Sequence, residues 1–194
     1  MKHDKTFITI GAHAKCEREK HDFYSTDPRA AEQLLANVKF HGGIYEPCCG
    51  KGCLSIPLAK AGYNVLSADK FDHGFGMSGV DFFQTKKMPD GYANIVSNPP
   101  YNRTTDFICH ALDILQEGGV LALFLKTQYL EGIERYERIY SKNPPQMILQ
   151  YINRVSCLRN AGVNDDFGVS AVAYAWYVWV KGVRDETKIK WVRL

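Results

Sequence analysis

Ile44-Tyr45-Glu46-Pro47-Cys48-Cys49-Gly50-Lys51-Gly52 is the stretch on which the fold turns. Gly42-Gly43 breaks the chain just before it. Ile44 to Glu46 reads as a short strand, and Leu54, Ile56, Leu58 and Ala59 then recur on a helix that ends near Gly62. Two glycines in a strand-to-helix turn let the backbone approach a ligand closely. The loop is neither G-x-G-x-x-G nor a P-loop, because no second Gly-Lys-Ser/Thr stands at the required spacing. Glu46, ahead of the turn, argues against a phosphate and suits a cationic ligand; a plain βα turn would carry the same letters.

The same alternation continues on both sides. Thr26-Asp27-Pro28 is a helix start, a polar cap followed by Pro at the first helical position, with Ala31, Leu34, Leu35 and Val38 at helical spacing after it. Asn64 to Ala68 reads as a strand closed by Asp69, and residues 70–90 hold at most a short strand near Val80. Ala93 to Ser97 is a strand running into Asn98-Pro99-Pro100-Tyr101. A helix from about Thr105 to Gln116 stops at Gly118-Gly119. Val120 to Leu125 is a continuous apolar strand, suited to the buried centre of a parallel sheet. A helix is expected around Ile133 to Tyr140. Strands near Met147–Val155 and Val169–Val180, joined by Arg159 to Gly168, are expected to pair antiparallel at the sheet edge. Aromatic residues crowd Tyr174 to Trp179, where the core is the better reading than an interface. Short apolar runs alternating with helices predict an α/β fold with a mostly parallel sheet.

The chain has 194 residues, enough for one domain with a core of its own. Twenty-four basic against 21 acidic residues leave a net charge of +3, a weak lean toward an anionic partner. No stretch reaches the ~18 apolar residues of a membrane span. The N-terminus lacks an apolar signal region, so the expected compartment is cytoplasmic. Six cysteines do not read as the framework of a small secreted domain in a chain this large. Cys48-Cys49-x-x-x-Cys53 lacks a second half, and adjacent cysteines do not easily face one ion, so no metal is expected.

In open α/β sheets, ligands bind beyond the carboxyl ends of the strands. Asp69 ends one strand and could take both hydroxyls of a ribose, or be a capping or solvated acid. Asp81-Phe82-Phe83 could accept from an adenine amine beside an apolar wall, or be core aromatics next to a surface acid. Asn98-Pro99-Pro100-Tyr101 is the sharpest signal. Two prolines remove two donors and stiffen the chain, leaving a side-chain amide, carbonyl oxygens and a π face that together suit a planar group bearing an NH₂.

These loops resemble the Rossmann-like class I methyltransferases. Asn98-Pro99-Pro100-Tyr101 resembles the N/D-P-P-Y/F/W motif of amino methyltransferases, in particular the adenine-N6 group and its small phage-type DNA members. The resemblance spans roughly Asp22 to Val180. It implies a seven-stranded, mostly parallel sheet with an antiparallel C-terminal edge hairpin and helices on both faces. It implies one methyltransferase domain over 1–194, with 1–21 as an N-terminal extension, 181–194 as a basic tail and no separate target-recognition domain. The implied cofactor is S-adenosyl-L-methionine, giving S-adenosyl-L-homocysteine, with no metal.

Carried over by position, Tyr24 and Thr26 touch the methionine end of the cofactor. Glu46, Pro47, Cys48, Gly50 and Gly52 form its first loop, Asp69 takes the ribose, and Asp81 and Phe82 take the adenine. Asn98, Pro99 and Pro100 shape the catalytic slot, where Asn98 and Pro99 accept from the target amine. Tyr101 stacks on the target base. Lys126 and Arg135, in a segment that also resembles the phage group, and Arg154 are candidate substrate contacts. Cys48-Cys49 departs from the family's usual residues in the first loop.

The implied activity is N6-adenine methylation of nucleic acid, DNA ahead of RNA, with no membrane partner. RNA adenine and a protein glutamine amide remain as alternative substrates, and an inactive methyltransferase-fold binding subunit as a fourth reading. Lys181, Arg184, Lys188, Lys190 and Arg193, with Arg154 and Arg159, could meet phosphates or form a solvated tail.

Overall fold

The computed structural model describes residues 24–159, 161–168 and 170–194. The expected N-terminal extension, Asp22, Phe23 and Val169 lie outside the described residues. Strands β2 (Gly43–Glu46), β3 (Val65–Ser67), β4 (Tyr92–Ser97), β5 (Val120–Lys126), β6 (Met147–Tyr151), β8 (Tyr174–Val180) and β9 (Lys188–Val192) form one sheet in the order β3-β2-β4-β5-β8-β6-β9. β3, β2, β4 and β5 pair in parallel, and β8 is antiparallel to both β5 and β6. A small second sheet pairs β1 (Tyr24–Thr26) with β7 (Cys157–Arg159).

The inner strands β5 and β8 are apolar on both faces because helices cover both. On one side α1 (Arg29–Asn37) and α2 (Ser55–Lys60) bury Ala30, Leu34 and Leu58 against Ile44, Val96, Phe124, Trp176 and Val178. On the other, α3 (Thr104–Ile114) buries Phe107, Ile108 and Ala111 against Ile95, Leu121, Leu123, Tyr177 and Trp179. The single α-turn α4 (Ile133–Arg135) continues into a π-helix over Tyr136–Tyr140, which adds Ile139 to that second layer. Residues of β8 thus alternate between the two layers, as expected for the aromatic run. Trp176 finds partners for its indole N–H in the Ala30 carbonyl at 2.9 Å and the Tyr151 hydroxyl at 3.1 Å.

Two placements differ from the linear reading. The antiparallel pair β6–β8 is present, but β8 inserts between β5 and β6 instead of ending the sheet. The basic tail supplies the outermost strand, β9, parallel to β6. An edge strand needs no apolar run, because it exposes its side chains, so β9 carries no hydrophobic stretch in the sequence. The expected strand near Val80 is reduced to a single parallel bridge between Ala68 and Met77. Among the described residues, no helix is long and apolar enough to cross a membrane.

Candidate active site

The carboxyl ends of β2, β3 and β4 open into a cavity of about 360 Å³, within the range of small-molecule sites. Glu46, Pro47 and Cys48 reach it from the end of β2, Asp69 from just beyond β3, and Asn98 and Pro100 from just beyond β4. Tyr24 and Thr26 of β1 and the Asp81-Phe82-Phe83 segment complete the wall. The turns after β2, β3 and β4, far apart in sequence, meet because a parallel sheet delivers its βα turns to one edge.

The turn after β2 is set by its glycines. Gly50 and Gly52 hold φ of 51° and 80°, the left-handed region that side chains disfavour. A Cβ on Gly52 would also stand 2.7 Å from the Phe75 ring. Gly52→Ala is expected to cost about 1–3 kcal/mol in strain. That lowers the melting temperature by roughly 2–12 °C for a chain of this size. An unchanged melting curve would mean that the loop relaxes freely.

Asp69 is the clamp of this turn. It is 7% exposed. One carboxylate oxygen accepts the Gly50 N–H at 2.9 Å, and the other accepts the Phe71 N–H at 2.9 Å. His73 Nε2 lies 3.7 Å from the latter oxygen. The residue lines the cavity, and a carboxylate oxygen can accept more than one hydrogen bond.

Glu46 is 1% exposed and accepts a short hydrogen bond from Ser55, whose hydroxyl also meets that of Ser67 at 2.6 Å. Burial pushes its carboxyl up to about 8; the Ser55 hydroxyl pulls the other way and the Asp69 charge adds to the rise. Glu46 is therefore mostly neutral at pH 7. The raised value works against folding as pH rises from about 4.5 to 8, because the unfolded chain ionises there and the folded one does not.

The aromatic wall is built on Phe82, stacked on Phe107 at 4.3 Å and edge-on to His110 at 5.0 Å. Asp81 is spoken for: Lys70 pairs with it at 2.8 Å and the Phe83 N–H bonds to it at 3.1 Å. The Lys70 hydrogen bond holds the carboxyl below its usual range. Arg103 stacks over Phe83 at 3.7 Å from the ring centroid. Lys51, Phe71, His73, Arg103 and Phe107 line the cavity without having been singled out from the sequence. Arg103 alone had a local cue, standing two residues after Tyr101.

Asn98 has the most informative surroundings. Its amide nitrogen donates to the Tyr24 carbonyl at 2.9 Å and to Thr26 Oγ1 at 3.0 Å, and lies 3.8 Å from Cys157 Sγ. A carbonyl can only accept, so this pair of bonds also settles which end of the amide is nitrogen. Its oxygen is buried and has no hydrogen-bond partner. A buried acceptor without a donor costs about 1–3 kcal/mol, and such an exception in a folded protein calls for an explanation.

Tyr101 sits differently from expectation. Its ring is not in the cavity wall; it stacks on Tyr24 at 5.4 Å, and Lys126 Nζ lies 4.3 Å from its centroid. Its hydroxyl meets that of Tyr174 at 3.1 Å, and burial pushes the phenol well above its ordinary range. The same β1 residue that accepts from Asn98 through its carbonyl lays its ring against Tyr101. Gly50, Gly52, Pro99, Arg135 and Arg154 also fall outside the cavity lining. Arg135 stacks on Tyr129 at 5.0 Å and donates to the Glu131 carbonyl, and Arg154 is exposed in the loop after β6.

No protein-family model matches the sequence, and neither does any curated protein. Solved structures do resemble the fold. A proposed RNA methyltransferase from Pyrococcus horikoshii superposes with a TM-score of 0.59 at 14% identity, over 84% of this chain and 88% of its own. Magnesium protoporphyrin IX methyltransferase from Synechocystis, solved with bound S-adenosylmethionine, gives 0.51 at 15% identity over 79% and 77%. A proposed class I S-adenosylmethionine-dependent methyltransferase from Listeria monocytogenes gives 0.55 at 12% identity; 84% of this chain is covered, spanning 62% of that one. The fold is that of the Rossmann-like class I methyltransferases.

Proposed function

We propose that this chain is an S-adenosylmethionine-dependent N-methyltransferase that methylates the exocyclic N6 of adenine in nucleic acid, DNA being the favoured substrate. The observation that carries the reading is the buried, partnerless oxygen of Asn98, a residue that lines the cavity. An acceptor held in place by its own amide nitrogen suits an incoming N–H donor.

The residues fit the cofactor. Glu46 and Asp69 put carboxyl groups at one side of the cavity, suited to an ammonium and a ribose diol, and Phe82, Phe83 and Phe107 make an apolar wall suited to a purine. The first loop would hold the methionine end together with Tyr24 and Thr26. When bound, S-adenosylmethionine supplies an electrophilic methyl group on a sulfonium leaving group. The structural neighbours of this fold include a methyltransferase solved with that molecule.

The chain's own task is orientation. The N6 lone pair of adenine is delocalised into the ring. A hydrogen bond from the amine to Asn98 Oδ1, with a second to the carbonyl of Pro99, which lies outside the cavity lining, favours a tetrahedral nitrogen and frees that lone pair. The acceptors are fixed before the reaction, so they stabilise the positive charge developing on nitrogen without reorganising. Positioning of this kind can supply about 7–11 kcal/mol. No strong general base is required. In duplex DNA the target base leaves the stack to reach the slot. Tyr101, already stacked on Tyr24, acts in this reading by buttressing β1 and Asn98, and would meet a base only if Tyr24 or Lys126 yields its place.

The test is transfer of tritiated methyl from S-adenosylmethionine to separate DNA, RNA and protein pools, followed by mass spectrometry of the nucleosides. N6-methyladenosine or its deoxy form is expected. Label in glutamine, or no transfer to any pool, would overturn the assignment.

Cofactor affinity should depend on pH through Glu46. A cationic ligand group favours the carboxylate, so binding below pH of about 8 expels a proton. The dissociation constant is expected to rise by up to about tenfold per unit as pH falls from 8. Titration calorimetry at pH 7 in buffers of different ionisation enthalpy should register the released proton. Glu46→Gln should flatten the profile. A wild-type constant that does not change between pH 6 and 8.5 would remove Glu46 from the ligand's contacts.

A further inference from the structure

The rim of the sheet carries a second chemically distinct surface. β6 and β9 run parallel to β4, so their carboxyl ends lie on the same edge as Asn98. The register is continuous: Ser97, Leu123, Tyr177, Ile148 and Ile189 form one row across the sheet. Asn98 follows Ser97 and Lys190 follows Ile189, so the two stand at matching depth. Four inter-strand steps of roughly 4.8 Å separate them, about 19 Å in all. Trp191 and Arg193 continue toward the rim. The loop after β6 is tied to this end, since the Ile152 N–H bonds to the Val192 carbonyl at 2.9 Å and the Leu194 N–H to Asn153 Oδ1 at 3.1 Å. That loop carries Arg154.

The composition of this rim is unusual for a solvated tail. Trp191 is 64% exposed and Ile189 52%. Arg154, Lys188, Lys190 and Arg193 are all exposed, and none is in an ion pair among the described residues. The acids nearest in sequence, Asp185 and Glu186, precede β9 at the opposite end of the strand. Ile189, Trp191 and Arg193 share one face of β9 and Lys188 and Lys190 the other, so the edge presents an exposed indole with Arg193 on one side and lysines on the other, the elements of a rim along which a nucleic-acid backbone can run while a base stacks. A second copy of the chain is a poor occupant, because a symmetric contact would set these like charges against each other.

We infer that the β9 rim, centred on Trp191 with Lys190, Arg193 and Arg154, binds the backbone of the nucleic acid whose adenine enters the slot at Asn98. The inference rests on the proposed function and adds to it where the polymer runs. Phosphates are held by the cations, while Trp191 stacks on an unpaired base or sugar about 19 Å from the target. Lys126, at the carboxyl end of β5, stands on the same edge of the sheet between the two.

The test is fluorescence anisotropy of labelled oligonucleotides, DNA and RNA, single-stranded and duplex, over a range of salt. Wild type is compared with Lys190→Glu/Arg193→Glu and with Trp191→Ala, all checked for an unchanged melting temperature. The double variant should bind at least tenfold more weakly, and its slope of log K against log salt should be shallower by about two. Trp191→Ala should lose about fivefold or more, with partial rescue by Trp191→Phe. Affinity for S-adenosylhomocysteine should be unchanged. Equal oligonucleotide binding by wild type and variants overturns the inference even if wild type methylates DNA. Loss of binding in the variants, with no methyl transfer by wild type to any nucleic acid, keeps this surface and overturns the proposed reaction instead. A concentration-dependent dimer in sedimentation that Trp191→Ala abolishes, with oligonucleotide binding intact, would assign the rim to self-association and overturn the inference.

Discussion

Replacing Asn98 by alanine is expected to lower the methyl-transfer rate by about 10³-fold while leaving cofactor affinity within a few-fold of wild type. A single preorganised polar group in an active site is commonly worth 10²–10³ in rate, and Asn98 has two parts to play. In the proposed reaction its buried oxygen is the acceptor for the target amine, and its nitrogen ties β1 to the end of β4 through Tyr24 and Thr26. The variants separate these. Alanine removes both functions and leaves the Tyr24 carbonyl without its donor, which costs about 1–3 kcal/mol of stability. Aspartate keeps an acceptor but has no N–H for Tyr24, so it should also be inactive, with the carboxylate set against a carbonyl. Thr26→Val removes only one acceptor of the amide; it should lower turnover modestly, and Thr26→Ser should restore it. The measurement is single-turnover transfer beside calorimetric titration of the cofactor. Normal turnover with weakened cofactor binding in Asn98→Ala would reverse the assignment and make Asn98 a cofactor residue.

The second large effect is expected at Asp69. Asp69→Ala should weaken cofactor binding by roughly 10- to 150-fold, the range for losing hydrogen bonds to a charged group. Part of the loss is indirect. Without the carboxylate, the Gly50 and Phe71 N–H groups lose their acceptor and the turn after β2 loses its clamp. Asp69→Asn distinguishes the contributions, because its one remaining oxygen can serve a single backbone donor and its amide donates where a ribose hydroxyl would. If the loop is the whole effect, asparagine recovers much of the affinity; if the ribose is held directly, it does not. Unchanged affinity in Asp69→Ala would refute the ribose role.

Much of this site was legible because its chemistry is carried by contiguous residues. Glu46 to Gly52 and Asn98 to Tyr101 could each be read as a loop, since glycine and proline state their backbone demands locally. The contacts that tune those loops were not legible. Asn98 is oriented by Tyr24 and Thr26, more than 70 positions away, through a two-stranded sheet with β7 that no local pattern announced. Tyr101 looked free to stack on a base, yet the same β1 segment brings Tyr24 against it. The carboxyl of Asp81 looked available and is paired with Lys70. β9 illustrates the opposite case: Lys-Ile-Lys-Trp-Val has the alternation of a strand, but charged residues in a tail read equally well as solvated.

The sequence by itself determined the alternation of strands and helices, the α/β class and the backbone demands of the glycine and proline loops. Periodicity, propensity and turn residues act over a few positions, and the order of the chain records them directly. Only the tertiary structure decided the strand order, the insertion of β8 inside the sheet, the recruitment of the tail as its edge, and the burial that raises Glu46 and strands the Asn98 oxygen. Those depend on which distant segments hydrogen-bond side by side and on how much water they exclude. Pairing and desolvation are properties of the packed sheet and leave no local mark on the letters that take part in them.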